Sequence, residues 1–429
     1  MCLKDRVIET LKSEVKAAMG CTEPVAVALA VAKAKELCIS NEHYNLDQLK
    51  VDVKVSPNIF KNGLSVGIPN TDQVGLMIAT ALSLASCHSV HGLEVFKEVT
   101  KSSLKIALKL IDQKQITLTI ADTEEKILVD ARVTDGKKWG HALIVGRHDQ
   151  FVLLENHEGV SFTKEVEPPK TLKQLDLTVK EIIDTVESLP FEDIHFLIEG
   201  LDMNRAMAEY GLNHTEGMAV GLTLSHSKYM SENLMTRAMI LTAAASDARM
   251  SGAPLPVMSS NGSGNNGITA LLPIVAYAKE TPVSDDQLAR AAAISHLINS
   301  VIKNKIGRLS ALCGCGVAAG TGASVALTWL MKGDLNQIEG AIKNMVANTT
   351  GMICDGAKIG CSLKLATSAS AAVQSAILAM SGIVVPCGNG IIGKTADETI
   401  ENLGVLSKDA MGTVDHVILD IMLGHMEQC

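Results

Sequence analysis

The sequence predicts an α+β protein: a mainly helical catalytic domain made of residues 1–45 together with 190–429, carrying an inserted α+β domain with a mixed or antiparallel sheet at 46–189. Three observations lead there. Period-two alternation of apolar and polar residues, the mark of a half-buried strand, is confined to the stretch between Leu49 and Glu155. From Val179 onward the chain reads as almost entirely helical. The side chains are also small, since 47 % of the 429 residues are hydrophobic but only 3 % are aromatic, so the interior is built of Ala, Val, Ile, Leu and 18 Met and its helices can approach closely.

Taken in order, Val7, Ile8, Leu11, Val15, Ala18 and Met19 recur at helical spacing and predict an amphipathic helix over 5–19 that stops at Gly20. A second helix starts at Thr22 or Glu23 with Pro24 in its first turn. Cys21 then stands at a helix N-terminus, where backbone N–H groups and the helix dipole favour a thiolate; it is a candidate base or nucleophile, against the plainer reading of a buried turn residue. Leu49–Val55 alternates strictly and forms a strand. The segment Ser56–Gly63 is rich in turn formers, and its Asn62-Gly63 pair marks a structural turn. A helix through Leu76–Ala85 is followed by strands at 115–120, 127–133, 141–145 and 151–155, with turns at Asp135-Gly136 and His148-Asp149. Pro168-Pro169 marks the exit from this domain.

Helices are expected at 191–201, 204–211 and 234–248, with His214 as a cap or core-edge histidine in the loop Asn213–Gly217. The run Met258–Gly267 is a glycine- and asparagine-rich loop that opens a helix near Ile268. Such a loop turns backbone and side-chain donors toward an anion, here from Ser260, Asn261, Ser263, Asn265 and Asn266, or else caps the helix tightly; without a following Gly-Lys-Ser/Thr it is no P-loop. A helix at 291–302 leads to Arg308, a second candidate anion contact. After Lys364 a small-residue helix runs to Met380, Val384–Gly390 turns back toward the cysteines, and a last helix covers 413–423.

Four of the ten cysteines fall in two groups, Cys313-Gly314-Cys315 and Cys354–Cys361, joined by what reads as one long buried helix. Grouped thiols suit zinc, iron–sulfur clusters or disulfides. C-x-C and C-x6-C lack the C-x2-C knuckles of common zinc modules, although zinc stays open. Glycine and alanine beside them let an inorganic cluster approach the backbone and receive N–H bonds to its sulfurs. A [4Fe-4S] cluster on three cysteines would keep one iron free as a Lewis acid.

A net charge of −9 opposes sequence-independent nucleic-acid binding, which needs a basic face. The start, Met1-Cys2-Leu3-Lys4-Asp5-Arg6, has no apolar run after its charges, so no secretory signal is expected, the location is cytoplasmic and the thiols are reduced. The uncharged runs Leu309–Met331 and Leu365–Gly393 are rich in Gly, Ser, Thr and Ala and are read as core helices, with no membrane partner.

The strings GCTEPVAVALA at 20–30, SSNGSGNNG at 259–267, LSALCGCGVAAGTGAS at 309–324 and GMICDGAKIGCSLK at 351–364 closely resemble the L-cysteine desulfidase family, relatives of the alpha chain of iron–sulfur L-serine dehydratases. The resemblance spans essentially the whole chain. It implies an oxygen-sensitive [4Fe-4S] enzyme that converts L-cysteine to pyruvate, ammonia and hydrogen sulfide without pyridoxal phosphate. On that basis Cys354, Cys361 and one of Cys313 and Cys315 hold the cluster, with Cys315 favoured because Gly316 and Gly320 leave room on its side. Residues two apart do not both face one iron in regular structure, so spacing alone leaves the choice open. Cys21 removes the α-proton with Glu23 beside it, and the 260–266 loop and Arg308 take the substrate carboxylate. Asp355 and Lys358 orient the ligands, and a C-terminal cysteine, here Cys429, occupies the free iron in some relatives. The partners expected are a small amino-acid substrate, no nucleic acid and no membrane, with a homodimer left open. The alternatives are an L-serine dehydratase with the same cluster and a non-catalytic thiol or zinc protein.

Overall fold

The computed structural model describes residues 2–39, 45–164 and 176–426, so Cys429 and the Pro168-Pro169 exit lie outside the described residues. It is α+β and mainly helical.

Helix α1 (Leu3–Glu14) starts under a reciprocal cap in which Cys2 and Asp5 exchange hydrogen bonds. It does not continue to Met19 as its periodicity suggests. Residues 17–19 are extended as β1 (Ala17–Met19) and pair antiparallel with a distant strand at Pro256–Met258, so a tertiary ladder overrides the local pattern. Helix α2 (Thr22–Cys38) is buried all round, with only three of its 17 residues reaching partial exposure. One side lies on the sheet and the other on α4 (Leu76–Ser86), which follows β2 (Lys50–Val55) and α3 (Pro57–Gly63). The turn expected at Asn62-Gly63 is the end of α3, which Pro57 opens at its first position.

After α5 (Lys101–Asp112) come β3 (Ile116–Ile120), β4 (Leu128–Thr134), β5 (Trp139–Val145), β6 (Phe151–Asn156) and β7 (Gly159–Thr163). They form one six-stranded sheet in the order β3-β2-β4-β5-β6-β7, with β2 and β3 parallel and every other pair antiparallel. The inward residues Val51, Val53, Val55, Val129, Ala131, Val133, Ala142 and Ile144 pack on Val27, Ala30, Val31 and Ala34 of α2. The helix comes so close that a Cβ at Gly140 would sit 2.1 Å from the Ala34 carbonyl oxygen.

The remainder is helical: α6 (Val179–Glu187), α7 (Phe191–Ile194), α8 (Phe196–Asn213), α9 (Val220–Ser225), α10 (Leu234–Met250), then β8 (Pro256–Met258), the partner of β1, and α11 (Gly264–Ala278) and α12 (Asp285–Ile306). A π-helical turn at Gly314–Ala319 runs into α13 (Gly320–Leu330), followed by α14 (Leu335–Thr349), α15 (Cys361–Met380), α16 (Ala396–Val405) and α17 (Val414–Met426). The single long helix expected between the cysteine groups is thus two, broken at Lys332-Gly333 and restarted by Asp334 and Gln337 in a capping box. Among the described residues α15 alone is long and apolar enough to cross a membrane, and its Leu365, Ala369, Val373 and Ala376 are buried against other helices.

Packing divides the chain differently from the expected boundaries. Helix α1 joins the helical core, but α2 belongs to the sheet's core, whereas α6, inside the expected insertion, packs with α12 in the helical core. Helix α2 sits between the sheet and α4 because its apolar faces match both.

Candidate active site

Two backbone clamps build the site. Pairing of β1 with β8 continues past the strands, Ser259 N–H donating to Lys16 O at 2.8 Å and Asn261 N–H to Glu14 O at 3.0 Å. This sets Cys21, the residue before α2, against the asparagine-rich loop. The second clamp is an antiparallel bridge between Leu312 and Ile353, in which Cys313 N–H donates to Met352 O at 2.8 Å and Cys354 N–H to Ala311 O at 2.7 Å. It brings the two cysteine groups side by side, and Cys361 opens α15 beside them.

The products of both clamps face one cavity of about 90 Å³. Of the candidates named from the sequence, Cys21, Glu23, Asn261, Ser263, Asn265, Asn266, Arg308, Cys313, Cys315, Cys354 and Cys361 line it. Ser260 does not. Its hydroxyl is turned onto α12, within 2.9 Å of both His296 Nδ1 and Asn299 Nδ2, because the buried polar groups of that helix need a partner. Arg308 lines the cavity but is ion-paired with Glu14, so its charge is already answered. Lys358 stays at the rim, bound to Asp355, while Lys364, which also binds Asp355, reaches the cavity. The 384–390 turn does not reach it, being tied instead to Asn344 of α14. His214 caps the end of α8 on Tyr210 O, as expected of it.

Cys21 Sγ lies 2.9 Å from Glu23 Oε2, and both residues are almost wholly buried. Glu23 also accepts from Thr22 Oγ1 at 3.2 Å and Asn62 Nδ2 at 3.1 Å. Burial and the Glu23 charge push the Cys21 thiol well above its ordinary value, more than the Arg249 charge draws it down. Desolvation in this closed site thus opposes the thiolate that a helix N-terminus favours. Burial also pushes up the Glu23 carboxyl, but the field of His148 and hydrogen bonds from Cys21 and Asn62 outweigh it and hold Glu23 below the usual value.

Of the four grouped thiols, Cys313 is drawn down by a hydrogen bond from Cys315, which is itself pushed up by that bond and by burial. Burial raises Cys354 and takes Cys361 to about 11.

Sequence reasoning missed several cations here. Arg249 donates to Asn265 Oδ1 at 3.0 Å and to Gly20 O at 2.8 Å, and Lys303 donates to the Arg308 carbonyl. Among the described residues neither meets a carboxylate, though both are almost fully buried, and burial holds Lys303 at about 8. Arg249 Nε and Asn266 Oδ1 beside them have no partner. Lys303 left one sign in the sequence: with His296, Asn299 and Ser300 it forms a polar stripe at helical spacing on an otherwise apolar helix.

Two buried cations without counter-charge, beside four thiols, fit an anionic group held by thiolates. No three His, Cys, Asp or Glu side chains among the described residues converge tightly enough for a single metal ion. Four thiols on one cavity suffice in number and kind for an iron–sulfur cluster held by three. The donor set fits the cluster.

Residues 90–420 match the family described as serine dehydratase alpha chain. The chain belongs to that family. It is an iron–sulfur family of lyase-type enzymes, and the match takes in the loop of α11, all four grouped cysteines and Asp415. Full-length relatives extend the likeness to the Cys21 segment. A protein named UPF0597 from Alkaliphilus oremlandii is 51 % identical over 98 % of this chain and 99 % of its own. Its namesake in Clostridioides difficile is 48 % identical over 97 % and 98 %, and that of Caldanaerobacter subterraneus 42 % over 98 % and 99 %.

Proposed function

We propose that this serine dehydratase-like protein is an L-cysteine desulfidase that eliminates sulfide from L-cysteine, yielding pyruvate and ammonia. The observation that carries the reading is the meeting, on one cavity, of four thiols, the buried Cys21–Glu23 pair and two cations without carboxylate partners. Cys354, Cys361 and one of Cys313 and Cys315 would hold a [4Fe-4S] cluster, which when bound supplies a Lewis-acidic iron for the substrate sulfur.

The chain's own residues do the remaining work. With Arg308 neutralised and Asn265 occupied by Arg249, the Lys303 ammonium and the Asn266 side-chain amide N–H would donate to the substrate carboxylate. The proton that rests on Cys21 passes to Glu23, a step helped by the Arg249 charge facing the sulfur. The Cys21 thiolate so formed takes the α-proton. Its pair of electrons becomes the new carbon–carbon double bond as the carbon–sulfur bond breaks toward sulfur. The released aminoacrylate tautomerises and is hydrolysed by water to pyruvate and ammonia.

The family description favours a second reading, in which L-serine is the substrate and hydroxide leaves. Protein reconstituted anaerobically with iron and sulfide separates them. Equal amounts of sulfide and pyruvate from L-cysteine, with slower pyruvate from L-serine, support the desulfidase. Faster pyruvate from L-serine supports the dehydratase. Cluster-loaded protein that consumes neither amino acid ends both readings.

A further inference from the structure

Behind the first cavity lies a second, of about 20 Å³, lined by Glu14, Lys16, Arg147 and Asp149 among others. The two linings share three residues: His148, Gly262 and Arg308. Lys16, Arg147 and Asp149 are 42 %, 27 % and 28 % exposed at their side chains, so this second space opens toward water, whereas the Cys21–Glu23 pair does not.

We propose that His148 carries protons between the buried Glu23 carboxylate and solvent by way of this second cavity. The inference rests on the elimination proposed above and concerns a step that reaction cannot omit. Each turnover leaves an extra proton on the Cys21–Glu23 pair, and the pair works again only once that proton has gone.

The geometry leaves few other exits. Glu23 Oε2 is engaged by Cys21 and Thr22 and Oε1 by Asn62, and His148 Nε2 stands 3.9 Å from Oε1. That nitrogen is buried and has no hydrogen-bond partner, a costly arrangement for a purely structural histidine. The opposite ring nitrogen, Nδ1, faces Gly262, where a Cβ would stand 3.5 Å from it and 3.7 Å from Arg308 Nη1. A glycine there keeps the space between the two side chains clear. Of the shared residues, glycine has no titratable group and a guanidinium does not release its proton, which leaves the imidazole.

The charged groups around His148 are Glu23 from α2, Arg308, and its own neighbours Arg147 and Asp149, with Glu14 and Lys16 paired to them. Burial is the largest influence and lowers the imidazole, as do Arg308 and Arg147, against the opposing pull of Glu23 and Asp149. His148 is therefore neutral near neutral pH and ready to accept. The transfer balances: protonated Glu23 gives its proton to Nε2 and the imidazolium releases the Nδ1 proton to water, leaving the carboxylate and the Nε2–H imidazole, which returns to its Nδ1–H tautomer by exchange with water before the next turnover.

Two measurements test this. In cluster-loaded enzyme, His148→Gln should lower kcat roughly a hundredfold, the usual scale for a lost proton-transfer group, with KM changed less than threefold and the acidic limb of the kcat profile abolished. Added imidazole should recover part of kcat in His148→Ala. In cluster-free protein, Glu23→Gln should move the titration midpoint of the His148 Cε1–H resonance to lower pH, because the attraction of the carboxylate is gone. A His148→Gln enzyme with kcat within twofold of the parent, or a His148 midpoint indifferent to Glu23→Gln, overturns the proposal. A parent enzyme that eliminates neither sulfide nor hydroxide sinks the function instead, and the titration still decides the coupling of His148 to Glu23.

Discussion

Lys61 Nζ lies 2.5 Å from Asp415 Oδ1, a pair closed to solvent that fastens α3 to α17. The same ammonium donates to the Cys354 carbonyl at 3.2 Å, and Asn58 Nδ2 holds the other carboxylate oxygen at 3.0 Å. One ion pair thus ties an early helix, the last helix and a cysteine of the site into a single wall.

Asp415→Asn removes half of this buried pair and strands the ammonium. Breaking such a pair costs roughly 3–5 kcal/mol, far beyond the value of a surface ion pair. The expected result in urea unfolding is a midpoint well below the parent's, accompanied by weaker iron retention. A midpoint equal to the parent's would mean that Lys61 finds another anion.

The same pair sets a response to acid. Burial raises the Asp415 carboxyl, but the charge of Lys61, hydrogen bonds from Lys61 and Asn58, and Lys126 together hold it below its ordinary value. A carboxyl depressed in the folded state adds stability above its unfolded pKa, and that contribution disappears as pH falls through the folded value. Unfolding free energy should therefore decline below about pH 4, and the decline should be shallower in Asp415→Asn. Parallel acid limbs in the two proteins would contradict this.

Lys303→Met should act in opposite directions on the two forms of the protein. Without cofactor or substrate it removes a buried ammonium bonded only to a carbonyl, and so relieves the desolvation cost of that charge. Thermal melting of the cluster-free protein should rise by a few degrees. In the loaded enzyme the lost charge-assisted bond to the carboxylate, about 1.5–3 kcal/mol, should raise KM about tenfold or more. A lower melting temperature together with an unchanged KM would assign Lys303 a purely structural task.

Gly267→Ala is expected to move the first turn of α11. A Cβ at this position would stand 1.8 Å from the Met258 carbonyl oxygen, a backbone atom that cannot swing aside. The helix-propensity gain of alanine, about 1 kcal/mol, does not match an overpacking cost of roughly 1–3 kcal/mol at a fixed contact. The variant should be less stable and slower, since Asn265 and Asn266 shift with the turn. Unchanged turnover would detach the loop from catalysis.

Much of this arrangement could be read from residues alone, for identifiable reasons. The strands from Ile116 to Asn156 lie within about two residues of the alternating runs, because one face is packed on α2 and the other is polar. Strand β7 escaped notice because every residue from Gly159 to Thr163 is exposed and carries no alternation. The break at Gly333 was signalled by Asp334 and Gln337, a capping pair hidden in a run that reads as uniformly helical. At the site, the cysteines and the asparagine loop are concentrated enough in sequence to stand out. His148, Arg249 and Lys303 arrive singly from a turn and two helices, and only packing shows that they converge. The surroundings of Ser260 and Cys21 are not legible locally for one reason: both depend on neighbours distant in sequence, α12 for the hydroxyl and the closed Glu23 pocket for the thiol.

The wall that Lys61 and Asp415 complete has a bearing on the order of assembly. Until α17 docks on α3, Lys61 lacks its Asp415 counter-ion and the side of the cavity at Cys354 is unsecured. Enclosure of whatever occupies the cavity therefore waits on contact between two segments whose paired residues lie 354 positions apart in the chain.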